Sequence, residues 1–587
     1  MSGHDQRNDS SQMKDLLQPE REHKESSDQT ACCSTSTSTT TSPTSSYTAA
    51  APSSTADVSV RQVEVCEAAR TQSDDVTSSS CPLDDLKYLR QCDNKLGRLN
   101  FSQTHAILVD VTVFNCGAGL VPQKGPDMWN SNFVKMPTSA SSVFVKSGFL
   151  KPSQKRRWEE ISKQLSALAK KNTASVDDVE EAIMKYNPKY KGQWSFDTLS
   201  SLVKIVPKAE NYYPKLFPKI AELALSLPDY VQKAIPLLRR GQPASITLSQ
   251  VQISCLLANA FFCTFPHRNT TGPNAEYKNF TSINFSRLFG QTCHQKKEKL
   301  RALLHYFHVV TDENTKPKGL VTFERRCLKD LPNWRSCKEK MNKLHVTSRG
   351  AIETEGTGLL QVDFASSWIG GGVLSSGLVQ EEILFIMNPE LIVSRLFTEK
   401  LADNECLIVT GSQQFSCYSG YKDSFEWAGP HEDRLQRDRW SRLNRQILAI
   451  DAQHFRNRRD QYDMISITRE LNKAYCGFKS DNHNEPDIAT GKWGCGAFNG
   501  DPQLKAVIQL MAAAMARRGL AFFTFKDEKL KEGLQRTHHL LVTEGVTVDK
   551  LFGLLEDFCA AQDASSRSGV DLFQLIRNQF RTSKSQL

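Results

Sequence analysis

Beyond residue 318, short runs rich in β-branched and aromatic residues take turns with helical patterns, and this alternation limits the fold more than any other feature of the chain. Strands are expected at 319–323, 359–365, 406–411, 446–451 and 520–525, with helical periodicity at 380–398, 468–474 and 502–518 between them. Strands separated by whole helices form a mostly parallel or mixed sheet covered by helices on both faces. Ligands of such sheets bind at the loops that leave the carboxyl ends of the strands. Those loops are where chemistry is to be sought.

Upstream the pattern differs. A β-branched, alternating run at 105–114 reads as a strand. After it, apolar positions Trp158, Ile161, Leu165 and Leu168 mark an amphipathic helix over 154–171. Ser175-Val-Asp-Asp178 reads as a capping box opening a second helix. Further helical periodicity covers 194–205, 215–227, 248–263 and 298–309, with Pro207, Pro214, Pro218, Pro228 and Pro236 as expected breaks. Residues 31–60 hold 17 Ser or Thr and one aromatic, Tyr47, too little apolar surface to offset the entropy of ordering. The expected organisation is a disordered tail over 1–90, a mostly helical accessory domain over 91–317 and an α/β domain over 318–587.

Charge and cysteine usage narrow the class. Residues 1–90 carry 14 acidic and 8 basic side chains, net −6; with the whole chain at +9, residues 91–587 carry +15. Such a surface gathers a polyanion, though charge alone does not choose among nucleic acid, nucleotide polymer and acidic protein. The 16 cysteines include no C-x-x-C pair, so neither a zinc site nor a disulfide framework is expected. No run of about eighteen apolar residues would span a membrane, and the opening MSGHDQRNDS has no apolar segment. An intracellular protein is expected, nuclear, cytoplasmic or both. The basic cluster at 151–157 reads as the solvated start of a helix rather than an address.

Two glycine-rich loops stand out. After the strand at 359–365 comes Ser366-Ser-Trp-Ile-Gly370-Gly371-Gly372, then Gln380-Glu381-Glu382 at the start of an apolar helix. Three glycines let backbone amides approach a ligand closely. The paired glutamates have two explanations. Carboxylates in a first helical turn are favoured by the macrodipole. Alternatively, two residues pointing about 100° apart take different jobs in acid/base chemistry, with desolvation and a neighbouring charge raising the pKa of the donor. The second loop, Lys492-Trp493-Gly494-Cys495-Gly496-Ala497-Phe498-Asn499-Gly500, leads to Asp501 as N-cap and Pro502 as first helical residue. It is either a flexible turn or a nest of amides aimed at phosphate. It lacks the G-K-[ST] of a nucleotide-hydrolysing P-loop. The aromatic-rich stretch 415–427 reads as a hairpin on the core or as a source of a stacking ring.

These loops, with Gln361-Val362-Asp363-Phe364-Ala365 and Asn388-Pro389-Glu390-Leu391, resemble, in the same order, the motifs of the poly(ADP-ribose) glycohydrolase family, vertebrate type. The resemblance runs from about Val134 to near the end of the chain. It implies a macrodomain-like α/β fold behind a helical accessory region. It also implies hydrolysis of ribose–ribose O-glycosidic bonds in protein-attached poly(ADP-ribose), without metal or organic cofactor, by a monomer that does not bind nucleic acid directly. By the same resemblance Glu382 is the general acid and then base, Glu381 holds the substrate ribose and Asp363 is a third acidic residue. Ile352 and Glu353 match the adenine-recognition pair, Gln380 a substrate contact and Tyr421 the ring that closes over the ligand. Gly371 and Gly372 belong to the first loop, Trp493, Gly494, Cys495, Gly496 and Ala497 match the diphosphate loop, and Phe498 and Phe525 are further rings. Ser366 and Lys492 each stand where the family has Asn. A macrodomain that binds ADP-ribose without cleaving its polymer is the alternative; it would need the pockets but not Glu382.

Overall fold

The computed structural model describes residues 84–92, 99, 102–112, 121–146, 153–270, 272–480, 485–565 and 569–582. Most of the tail expected over 1–90 lies outside the described residues, as do 113–114 of the upstream strand. The tail's last residues are a correction. Asp84–Tyr88 forms a 3-10 turn whose Leu86, with Leu89, is buried, and Arg90 pairs with Asp487 at 2.9 Å. Two leucines and one arginine suffice to dock this stretch, and a composition averaged over ninety residues hides them.

The strands are β1 His105–Ile107, β2 Val143–Lys146, β3 Ser153–Arg156, β4 Ala244–Ser249, β5 Leu320–Cys327, β6 Leu344–Thr347, β7 Leu360–Ala365, β8 Glu405–Thr410, β9 Ser416–Ser419, β10 Glu426–Pro430, β11 Gln446–Asp451, β12 Ile488–Gly491 and β13 Leu520–Phe523. Nine of them form one sheet in the order β1-β4-β5-β8-β11-β7-β12-β13-β6. The run β11-β7-β12-β13-β6 is parallel throughout. The pairs β11–β8, β8–β5 and β5–β4 are antiparallel, and β1 lies parallel to β4. The sheet is therefore mixed, with its parallel half carrying the two glycine loops.

Alternate residues of a strand face opposite sides, and the two cores follow that parity. Ile447 and Ala449 of β11 join one cluster with the upstream helices Tyr213–Leu225, Gln250–Phe261 and His294–Val310 and with the helix Gln380–Met387. Leu448 and Ile450 join the other, with helices Met464–Phe478, Pro502–Met515 and Val548–Ala564. The helical accessory region thus packs on the same face as the glutamate-bearing helix. Among the described residues no helix is long and apolar enough to cross a membrane.

Local signals explain most helix starts. Ser175 accepts from the Asp178 N–H while Asp178 reaches back to the Ser175 N–H, and Ser249 with Gln252 does the same. Elsewhere the structure departs from expectation. Pro218 sits inside the helix Tyr213–Leu225 rather than ending it. It has no N–H to offer the Pro214 carbonyl four residues back, and that carbonyl instead accepts from the Ala174 N–H at 2.8 Å. The helix expected over 380–398 ends at Met387; Pro389 opens a 3-10 turn, Pro389–Val393, before the short helix Ser394–Phe397. Strands β4, β6 and β12 were not expected. They are four to six residues long and carry too little alternation to register.

Candidate active site

Strands β7 and β12 are parallel neighbours, with Ala489 opposite Gln361. The loops that follow them therefore emerge on the same edge of the sheet. The residues after β13 and β6 emerge on that edge too. Sequence-expected residues from four separate strands are brought together: Ile352 and Glu353 beyond β6, Ser366 to Gly372 beyond β7, Lys492 to Phe498 beyond β12, and Phe525 beyond β13. Tyr421 comes from the β9–β10 hairpin. The hairpin is the structural form of the aromatic stretch, with Phe415 and Phe425 buried and Tyr421 half exposed.

The first loop closes on the glutamates. Glu381 accepts at Oε2 from the Ser366 N–H at 2.8 Å and at Oε1 from the Gly370 N–H at 2.6 Å. Glu382 accepts at Oε1 from the Gly372 N–H at 2.7 Å and at Oε2 from the Val379 N–H at 2.8 Å. The Val379 bond also closes the first turn of the helix, since Glu382 is its third residue. A carboxylate explained only by the macrodipole would not also gather amides from a loop ten to fifteen residues away. Gly371 has φ +41°, and a Cβ there would lie 2.4 Å from Glu382 Oε1 and 2.8 Å from Glu381 Oε2. No side chain fits between the carboxylates and the loop.

Asp363 lies beneath this pair. It is fully buried, and both its oxygens lack a hydrogen-bond partner. Burial, and then the charge of Glu382, push its carboxyl well above the usual carboxylate range. Burial without a hydrogen-bond partner thus favours its uncharged form. Glu381 is also raised, by burial first and then by Asp363 and Glu382, against the two amides that favour its charge. All three residues are buried, and Glu382 keeps the most surface, 6% against 3% and 0% for Glu381 and Asp363. Gln380, expected at the ligand, gives its amide to β7: it accepts from the Phe364 N–H at 2.8 Å and donates to the Val362 carbonyl at 3.3 Å. It clamps the backbone on either side of Asp363.

The second loop is built from below. Trp493 is fully buried and its indole N–H donates to the Ile450 carbonyl at 3.0 Å. Gly494 has φ +74°, with room for no Cβ: the nearest atoms would be Ala452 Cβ at 2.6 Å and Lys505 Nζ at 3.3 Å. The loop turns back as the Gly500 N–H reaches the Gly494 carbonyl at 2.9 Å. Cys495 and Phe498 are half-buried, whereas Gly496 and Ala497 are exposed. As expected, Asp501 caps the next helix, accepting from the Gln503 and Leu504 N–H groups, with Pro502 first in the helix. Lys492 turns aside to Asp527, 3.7 Å away, rather than toward the loop's own amides.

Rings border the edge. Phe525 is over one-third exposed and has φ +50°, a conformation few bulky residues adopt. Its ring lies over Gly491, where a Cβ would meet it at 2.8 Å. The Tyr421 hydroxyl reaches the Gln380 backbone, and its half-buried phenol is raised by burial. Glu353 is hydrogen-bonded by the Tyr418 hydroxyl and raised by burial. Ile352 is buried, and its carbonyl accepts from Gln361 Nε2 at 2.7 Å. A cavity of about 460 Å³ opens beside the first loop, lined by Ser366, Ser367, Gln453, His454, Arg469 and Phe498. Among the described residues no three His, Cys, Asp or Glu side chains gather as metal ligands would.

Sequence reasoning missed the support beneath the second loop. Lys505 is buried in an ion pair with Glu470 and lies 4.5 Å over the Trp493 ring. Glu470 also accepts from the Gln453 N–H at 3.0 Å, which ties the loop after β11 to the same network. A lysine in the apolar run QLKAVIQLM was the available signal. Tyr418, too, stood unassigned in the hairpin.

Comparison with known proteins agrees with this geometry. The family model described as poly(ADP-ribose) glycohydrolase, Macro domain fold, matches residues 331–532, and the same family's helical domain matches 206–325. "Poly(ADP-ribose) glycohydrolase 1" of Arabidopsis thaliana is 29% identical over 471 residues, 65% of this chain and 84% of the relative. "Poly(ADP-ribose) glycohydrolase 2" of Caenorhabditis elegans is 30% identical, covering 59% of this chain and 70% of its own. "Poly(ADP-ribose) glycohydrolase 1" of the same worm is 32% identical over 62% of this chain and 48% of its own. The helical region, the mixed sheet with its carboxylate-gathering loop, and these matches agree: the chain belongs to the poly(ADP-ribose) glycohydrolase family.

Proposed function

We propose that this chain hydrolyses the ribose–ribose O-glycosidic bond of poly(ADP-ribose), with Glu382 as general acid and then base. The observation that carries the reading is the placement of Glu382: its Oε1 is fixed by the Gly372 N–H at 2.7 Å, and it is the least buried of the three acidic residues. Glycosidic cleavage passes through an oxocarbenium-like transition state and needs a proton for the departing oxygen. The Glu382 carboxyl gives that proton to the leaving ribose hydroxyl as the bond to the anomeric carbon breaks. The resulting carboxylate takes a proton from water as the water oxygen bonds to the anomeric carbon, which restores the acid. Asp363, buried and with its carboxyl raised above the usual range, limits the negative charge that the cluster gathers. Glu381, held by Ser366 and Gly370, faces the same ribose.

The rest of the edge serves binding. The exposed backbone at Gly496 and Ala497 suits a diphosphate. Tyr421 and Phe525 offer faces to an adenine ring, with Ile352 and Glu353 at its edge. The experiment is incubation of the purified chain with poly(ADP-ribose) in water enriched in ¹⁸O, followed by mass analysis of the products. Free ADP-ribose bearing one heavy oxygen on its terminal ribose is expected. Products cut at the pyrophosphate would reject glycosidic cleavage, and tight binding with no release at all would leave the binding module.

A further inference from the structure

We infer that Arg395 is a positioning residue for both glutamates, acting through two peptide groups of the glycine loop; the inference rests on the role given to Glu382 above. A trans peptide is planar, and its C=O and the following N–H point in opposite directions. Arg395 Nη1 donates to the Ile369 carbonyl at 3.2 Å and to the Gly371 carbonyl at 3.0 Å. The N–H groups of those same two peptides belong to Gly370, which donates to Glu381 at 2.6 Å, and to Gly372, which donates to Glu382 at 2.7 Å. One guanidinium nitrogen thus stands at the carbonyl end of both peptide groups whose amide ends hold the carboxylates.

The arrangement meets a physical need. Gly370 and Gly371 have φ of +78° and +41°, and glycine peptides rotate at little cost. A flipped peptide would turn a carbonyl oxygen, instead of an N–H, toward a glutamate. A cation on the carbonyl side opposes the flip and polarises the peptide, strengthening its N–H as a donor. Arg395 is itself fixed. It is buried, its Nε donates to the Ser282 carbonyl at 2.9 Å, and Arg268 Nη2 donates to its own carbonyl at 2.6 Å. A Cβ at Gly370 would lie 2.8 Å from Arg395 Nη1, so glycine is also what lets the guanidinium approach. Burial lowers its pKa to about 9, opposed first by Glu381. Lys299, from the accessory helix His294–Val310, collects the carbonyls farther along the same loop: Gly372 at 3.1 Å, Val373 at 3.3 Å, Ser375 at 2.9 Å, and Gly377.

The test compares the full chain with Arg395→Gln and Arg395→Lys by hydrogen–deuterium exchange of the peptide covering 366–379, by ADP-ribose affinity and by single-turnover release from poly(ADP-ribose). Arg395→Gln is expected to speed exchange in that peptide and to slow turnover about 100-fold, as small misplacement of a catalytic group does. ADP-ribose affinity should stay within about threefold, since uniform binding is untouched. Arg395→Lys keeps the charge without the fork and should recover part of the rate even if the glutamine variant fails to fold. Unchanged exchange in 366–379, or equal loss of affinity and rate in the lysine variant, would overturn the inference. Should the wild type release nothing, the hydrolase reading fails alone, because the exchange comparison still decides what Arg395 does.

Discussion

The two glycine loops leave adjacent parallel strands on one edge of the sheet, yet they use their amides in opposite ways. In the loop after β7, the amides of Ser366, Gly370 and Gly372 are already occupied by Glu381 and Glu382. In the loop after β12, Gly496 and Ala497 stay exposed, and order comes from Trp493, Lys505 and the Gly500–Gly494 bond beneath. Glycine serves close approach in both, but one loop is closed around its own carboxylates and the other is open to an outside anion. The first is built to fix a proton donor and the second to bind. Substitutions should therefore separate turnover from affinity according to which loop they strike.

The largest separation is expected at Glu382. Glu382→Gln keeps the shape and the Gly372 bond but removes the transferable proton, and release of ADP-ribose should fall by about a thousandfold with ADP-ribose affinity retained. Rapid-quench turnover beside calorimetric binding measures both. Next, Gly371→Ala drives a methyl to 2.4 Å from Glu382 Oε1 and should lower turnover roughly 100-fold, again with affinity nearly intact. In the open loop the pattern reverses. Gly494→Asp places a Cβ 2.6 Å from that of Ala452, in a conformation of φ +74°; affinity should weaken by about tenfold, from roughly 1–2 kcal/mol of backbone strain in the loop. Equal losses of affinity and turnover at both loops would erase the distinction.

The smallest effect concerns pH. Burial lowers Lys299 to about 7, with Glu382 opposing the shift. The ammonium is therefore disfavoured in the folded state relative to an ordinary lysine near 10.5. The folded chain binds fewer protons than the unfolded one between about pH 7 and 10.5, so this residue's contribution to stability rises with pH across that window. Turnover runs the other way, because a neutral amine holds the carbonyls of 372–377 less firmly. Lys299→Arg stays charged and should keep a larger fraction of its pH 7 activity at pH 9 than the wild type does, by about twofold. Parallel pH–rate curves for the two proteins would remove Lys299 from the comparison.

What could be read from the sequence was what is local. The box at Ser175 and the Asp501-Pro502 helix start depend on residues a few positions apart. Strand β11 was legible over its full length, because a run of Ile, Leu and Ala between charged flanks has few other uses. The glutamate pair and both glycine loops were likewise contiguous. What escaped depends on distance along the chain. Lys299 lies 73 to 78 residues from the carbonyls it binds, and in its helix it looks like any solvated lysine. Arg395 is the single charge in LIVSRLF, which marks it as unusual but not as a partner of Gly371. Pro218 was misjudged because the bond replacing its missing donor comes from Ala174, in another part of the chain.

The central claim is a distance in a complex. A crystal structure of Glu382→Gln bound to a short poly(ADP-ribose) fragment should place the glutamine side chain about 2.6–3.2 Å from the bridging ribose oxygen, with the diphosphate against the amides of 496 and 497. A side chain separated from that oxygen by more than one water, or a fragment bound with its glycosidic bond away from residue 382, would contradict the account.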